Sequence, residues 1–86
     1  MKLKQQFIVR NIMGENILVP KGATAMDFNG LITLNEPALD IWNMLPEAED
    51  ENEVVERMLR IYDVDRPTLE KDVSGFLEEL KKAGIL

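Results

Sequence analysis

Ser74 is the only serine in this chain, and the chain has no histidine and no cysteine. A serine nucleophile needs a positioned base, most often an imidazole, to take its proton. Without one, Ser74 reads as a surface hydroxyl. The same two absences remove thiolate chemistry, disulfides and the ordinary zinc ligands. The remaining charged cluster is acidic: Glu47, Glu49, Asp50, Glu51 and Glu53. It lacks the alternating Asp/Asn pattern with a central glycine that a calcium loop requires. A like-charge run of this kind is ordinarily a solvated loop, here with a helix cap inside it. No side chain is left with an evident catalytic role, and no metal or cofactor is expected.

Composition narrows the class further. The chain has 86 residues, 45% hydrophobic and 30% charged, which fits one globular domain over residues 1–86 with a modest core. An exported domain this short would ordinarily carry disulfide staples, so the cytoplasm is the expected compartment. No apolar run follows Met1-Lys2-Leu3-Lys4, so neither a signal peptide nor a membrane span is expected. The net charge is −6. Binding to nucleic acid draws on phosphate neutralisation by basic side chains, and Lys81-Lys82 is the densest basic pair here. Nucleic acid is therefore not the expected partner.

The elements that would position any site divide into strands, then helices. Phe7–Met13 and Ile17–Val19 are rich in β-branched and large apolar residues and flank Gly14-Glu15-Asn16, which predicts a hairpin. Met26-Asp27-Phe28 and Leu31-Ile32-Thr33-Leu34 flank Asn29-Gly30, the strongest short signal for a type I′ hairpin turn. Asn35 is a good N-cap, with Pro37 in the first turn and Pro46 as a stop; Ala38, Ile41, Trp42 and Leu45 form the apolar stripe between them. Asp50 and Glu53 predict a capping box for a second helix bearing Val54, Val55, Met58, Leu59 and Tyr62. Asp65 caps a third with stripe Leu69, Val73, Phe76, Leu77 and Leu80, and Gly84 follows at its end. The expectation is an α+β fold: N-terminal antiparallel β-hairpins of three to four short strands followed by three helices, in a winged helix-turn-helix-like arrangement.

Three features of this layout bear on binding. Trp42 lies on a helical apolar stripe and reads as core. Gly75 falls inside the third helix, where glycine costs about 1 kcal/mol relative to alanine. Close packing is the usual cause of such a glycine, and approach by an extended backbone is the other. Leu31–Leu34 is short, uncharged and free of proline. Placed at a sheet edge, it would offer unpaired N–H and C=O groups to a guest strand.

The span from Asn29-Gly30-Leu31-Ile32-Thr33-Leu34-Asn35-Glu36-Pro37 to Ile41-Trp42 resembles the strand-into-helix signature of PqqD-like proteins. Val54 to Tyr62-Asp63-Val64 resembles their second helix. Asp72-Val73 through Phe76-Leu77-Glu78-Glu79-Leu80, then Gly84-Ile85-Leu86, resembles their third. The likeness runs from about Phe7 to Leu86. It implies a peptide chaperone in the biosynthesis of ribosomally made, post-translationally modified peptides, as in the pathway to coenzyme PQQ. Such a domain holds a precursor's leader as an added strand and presents it to a separate enzyme, commonly a radical S-adenosylmethionine protein, without catalysis of its own. By position, the resemblance implies a peptide-binding edge at Leu31, Ile32, Thr33 and Leu34. It implies a helical wall at Lys71, Ser74, Gly75 and Glu78 or, alternatively, on the other flank at Glu70 and Leu77.

The rival readings are a winged-helix transcription regulator, another protein-interaction module and an enzyme. The regulator needs a basic recognition helix. Arg66, Lys71, Lys81 and Lys82 on the third helix are offset by Glu70, Asp72, Glu78 and Glu79. Both a monomer and a dimer that exchanges elements near Asn35 are compatible with the sequence.

Overall fold

A computed structural model describes residues 1–4, 6–22 and 32–86. Its elements follow one another as β1 (Phe7–Ile12), β2 (Glu15–Pro20), β3 (Ile32–Leu34), α1 (Glu36–Met44), α2 (Glu51–Ile61) and α3 (Arg66–Lys82). The strands form one antiparallel sheet in the order β1-β2-β3. Strands precede helices, so the fold is α+β as expected.

The first hairpin turns at Met13 and Gly14, not across Gly14–Asn16. Both residues have positive φ, 53° and 87°. Positive φ at both central positions defines a two-residue I′ turn, whose twist matches that of the flanking strands. The gain in pairing outweighs the strain of a methionine in the left-handed region. Strand β2 thus starts two residues earlier than Ile17, and Asn11 donates from Nδ2 to Asn16 Oδ1 across the ladder at 3.2 Å.

The strand Ile32–Leu34 pairs with β2, in the register Asn16↔Leu34, Ile17↔Thr33 and Leu18↔Ile32. The strand expected at Met26–Phe28 and the Asn29-Gly30 turn lie outside the described residues. Cross-strand partners share a face of the sheet, so Val9, Leu18 and Ile32 form one row across all three strands. All three belong to or pack against the core, and Leu18 is fully buried.

Each helix is set by its caps. Asn35 Oδ1 accepts from the Ala38 N–H at 2.9 Å, and Asp50 Oδ1 from the Glu53 N–H at 2.9 Å. Asp65 accepts from the Thr68 N–H and hydroxyl, which hold its carboxyl below the usual carboxylate range. The capping box at Asp50 is half realised, because Glu53 turns to Arg57 at 2.9 Å, and Glu47 meets the same guanidinium at 3.3 Å. The acidic run thus resolves into a cap and two ion pairs. At the end of α3, Gly84 takes φ 78°. The Ile85 N–H donates to the Leu80 carbonyl and the Gly84 N–H to the Lys81 carbonyl, a Schellman ending that buries Ile85 against Leu80.

Ile41 and Trp42 of α1 with Leu45 at its C-cap, Val54, Val55 and Met58 of α2, and Leu69, Val73, Leu77 and Leu80 of α3 form the core with Leu18 and Leu34 of the sheet. Trp42 is core, its indole edge-on to Phe7 with ring centroids 6.5 Å apart. None of the helices among the described residues is long and apolar enough to cross a membrane.

The Tyr62 hydroxyl donates to Asp40 Oδ2 at 2.5 Å and so ties the end of α2 to α1. That hydrogen bond is the main reason the phenol is pushed up to about 12, with burial and the charges of Asp40 and Glu36 acting the same way. The bond needs the neutral phenol. Its contribution is complete below the unfolded tyrosine range near 10 and disappears as pH rises from there through about 12. Tyr62 is the only tyrosine, so absorbance near 295 nm reads it alone. The expected titration midpoint is about 12 in the folded chain, and Asp40→Asn should move it toward 10.

Candidate functional site

Among the described residues the sheet ends at β1 on one side and β3 on the other. They differ in what stands beside them. Outside β3 lies a groove of about 900 Å³, lined on one side by Thr33 and Leu34 and on the other by α3. Among the described residues β3 has one strand partner, β2. An antiparallel edge strand directs alternate N–H and C=O groups outward, so among the described residues β3 has backbone donors and acceptors on the side away from β2 that no other strand takes up.

Three other elements complete the walls. The first hairpin contributes Gly14, Glu15 and Asn16 at one end. The start of α1 contributes Asn35 to Ala38 and, a turn later, Ile41. Helix α3 contributes Lys71, Asp72, Gly75, Phe76 and Glu79, which recur at one to four residues and so share a face. The floor is apolar, from Leu34, Ala38, Ile41 and Phe76, and the rims carry the charges. Between Lys71 and Glu79 the α3 wall rises about 12 Å, at 1.5 Å per residue. Strand β3 is about 10 Å long at 3.3 Å per residue. The two walls match a short extended segment in length.

The residues singled out from the sequence distribute as follows. Thr33 and Leu34 line the groove directly, while Ile32 is half-buried against the core and Leu31 lies outside the described residues. Lys71 and Gly75 line it from α3. Ser74, half-buried, and Glu78, exposed, sit roughly a quarter-turn further round the helix, outside the lining. Leu77 is in the core and Glu70 is exposed. Asp72, Phe76 and Glu79 complete the α3 face, and Glu36, Pro37 and the hairpin turn join it from other elements. The signal for Phe76 was in the sequence. It widens the apolar stripe of α3 toward the Gly75 side.

Gly75 has a definite environment. A Cβ built on it meets no atom within 4 Å. Close packing inside this fold is therefore not what keeps the position bare, and the missing side chain opens onto the groove. Among the described residues no group of three or more His, Cys, Asp or Glu side chains is arranged to hold a metal ion. Its chemistry is that of an apolar trough with one polar backbone wall.

The fold is similar to two solved structures. Over 98% of its length the chain superposes on 93% of lasso peptide synthetase B1, solved complexed with the leader peptide, with a TM-score of 0.73 and 20% identity, which is a likeness of fold. It superposes over 99% of its length on 94% of TbiB1, solved in complex with the TbiA(beta) leader peptide, with a TM-score of 0.71 and 28% identity. No curated protein matches it. The family model for coenzyme PQQ synthesis protein D (PqqD) matches residues 17–86, from the middle of β2 through α3. The chain belongs to the PqqD family.

Proposed function

We propose that this chain is a non-catalytic recognition element that holds the leader of a ribosomally made precursor peptide as a fourth strand on β3. The whole chain, residues 1–86, acts as one such unit. It presents the rest of the precursor to a separate modifying enzyme, for example a radical S-adenosylmethionine protein. The observation that carries this reading is the position of β3, an edge strand that faces α3 across an apolar groove of matching length. Membership of the PqqD family supports it, as does the leader peptide held by TbiB1.

The physics of such a site is simple. Each main-chain hydrogen bond to β3 contributes about 0.5–1.5 kcal/mol net. Alternate guest side chains point into the trough over Ala38, Ile41 and Phe76, where apolar burial supplies selectivity. Ordering a flexible leader costs several kcal/mol, so affinity is micromolar to sub-micromolar. Once held, the leader raises the effective concentration of the attached core peptide near the enzyme. The peptide passes between the bare Gly75 and Thr33. No bond is made or broken here.

Titration with the leader of the precursor encoded beside this chain should move NMR resonances of Ile32–Leu34 and of Lys71 to Glu79. Binding that leaves both segments unmoved would place the site elsewhere. Gly75 supplies a second measurement with two signs. Gly75→Ala should raise stability by about 0.5–1 kcal/mol, since the helix gains and nothing clashes. Gly75→Leu should fold equally well and weaken leader binding by about tenfold or more, as its side chain fills the guest's path. Unchanged affinity in a folded Gly75→Leu variant would remove Gly75 from the site.

A further inference from the structure

Four carboxylates rim the groove, Glu15 on the hairpin, Glu36 on α1, and Asp72 and Glu79 on α3, against one ammonium, Lys71. Strand β3 contributes no charge. Among the described residues the ion pairs use Arg57 and Arg66, and their partners are Glu47, Glu53 and Glu56 on the loop before α2 and on α2 itself. Among the described residues, none of the four rim carboxylates takes part in a salt bridge. Part of the chain's excess of negative charge thus lies on the walls of this groove, beside β3.

We infer that the groove selects a cationic guest segment, one whose inward side chains are apolar and whose intervening side chains are lysine or arginine. This inference rests on the strand-addition reading and names the chemistry of the peptide that the site takes. The geometry of an added strand supplies the reason. Side chains alternate, so those facing the trough meet Leu34, Ala38, Ile41 and Phe76, while those between them point away from it and pass the rims. A long basic side chain lays its methylenes along apolar surface and reaches a rim carboxylate with its charge. An acidic one there adds to charge of its own sign. Contacts of this kind are exposed to solvent, so each is worth roughly a two- to fivefold change in affinity, and two of them about tenfold. They also speed encounter at low salt.

The test uses three short synthetic peptides with leucine at alternate positions and lysine, glutamine or glutamate between. Each is titrated into the full chain and followed by NMR at about 50 mM and about 300 mM salt, where the screening length falls by roughly half. At low salt the lysine peptide should bind about tenfold tighter than the glutamine peptide, and the glutamate peptide weaker still. The preference should shrink at high salt. In the double variant Glu36→Gln with Glu79→Gln the preference for the lysine peptide over the glutamine peptide should largely vanish. Equal binding of all three peptides, with shifts at Thr33 and Gly75, would overturn the charge selection and leave the strand-addition reading standing. Tighter binding of the glutamate peptide would overturn it too. If none of the three shifts Thr33 or Gly75, the strand-addition reading fails and this inference fails with it.

Discussion

Strand β3 is three residues long and is hydrogen-bonded to a neighbouring strand on one side. Everything proposed for this molecule depends on that asymmetry. An outward row of backbone groups on a short strand is ordinarily a hazard, to be covered, bulged or guarded by charge. Here the strand carries no lysine, proline or bulge, and a helix wall stands across from it instead of over it. Burial of Leu18 and Leu34 fixes which face of the sheet turns to the helices, and a slip of one residue would turn both out.

The placement of α3 is the second half of the arrangement. Leu69, Val73, Leu77 and Leu80 lock its rotation against the core, and the Schellman ending at Gly84 buries Ile85 beneath it. The backbone N–H of Lys4 donates to the Ile85 carbonyl, so the residues ahead of β1 brace that end too. With the rotation set, Lys71, Asp72, Gly75, Phe76 and Glu79 can only face the groove. Asn35 then joins β3 to α1, since its side chain caps that helix immediately after the strand ends and leaves no slack between them.

Much of this was legible in the residues themselves. Local rules act within a few positions, so Asn35, Asp50, Asp65 and Gly84 mark the helix ends directly and the apolar stripes identify the buried faces. The hairpin was legible and its exact turn was not, because Met13 does not advertise a left-handed conformation. The edge position of β3 depended on strand order, which no local pattern encodes. The helical side of the groove was harder still. Lys71 and Gly75 stood out by type and by family likeness, whereas Asp72, Phe76 and Glu79 join them only once the core has fixed how far α3 is turned. Glu36 and the hairpin turn enter from elements far away in sequence. Gly75 was ambiguous for the same reason: whether a bare position serves packing or leaves room for a guest depends on what stands opposite.

Amide hydrogen exchange at Ile32, Thr33 and Leu34, measured residue by residue in the free chain and with saturating leader peptide, tests the central claim most directly. In the free chain, amides of β3 bonded to β2 should be protected while outward ones exchange fast, and the leader should slow the outward ones by at least about tenfold. Exchange rates in β3 that stay the same while the leader is demonstrably bound would contradict strand addition on this edge.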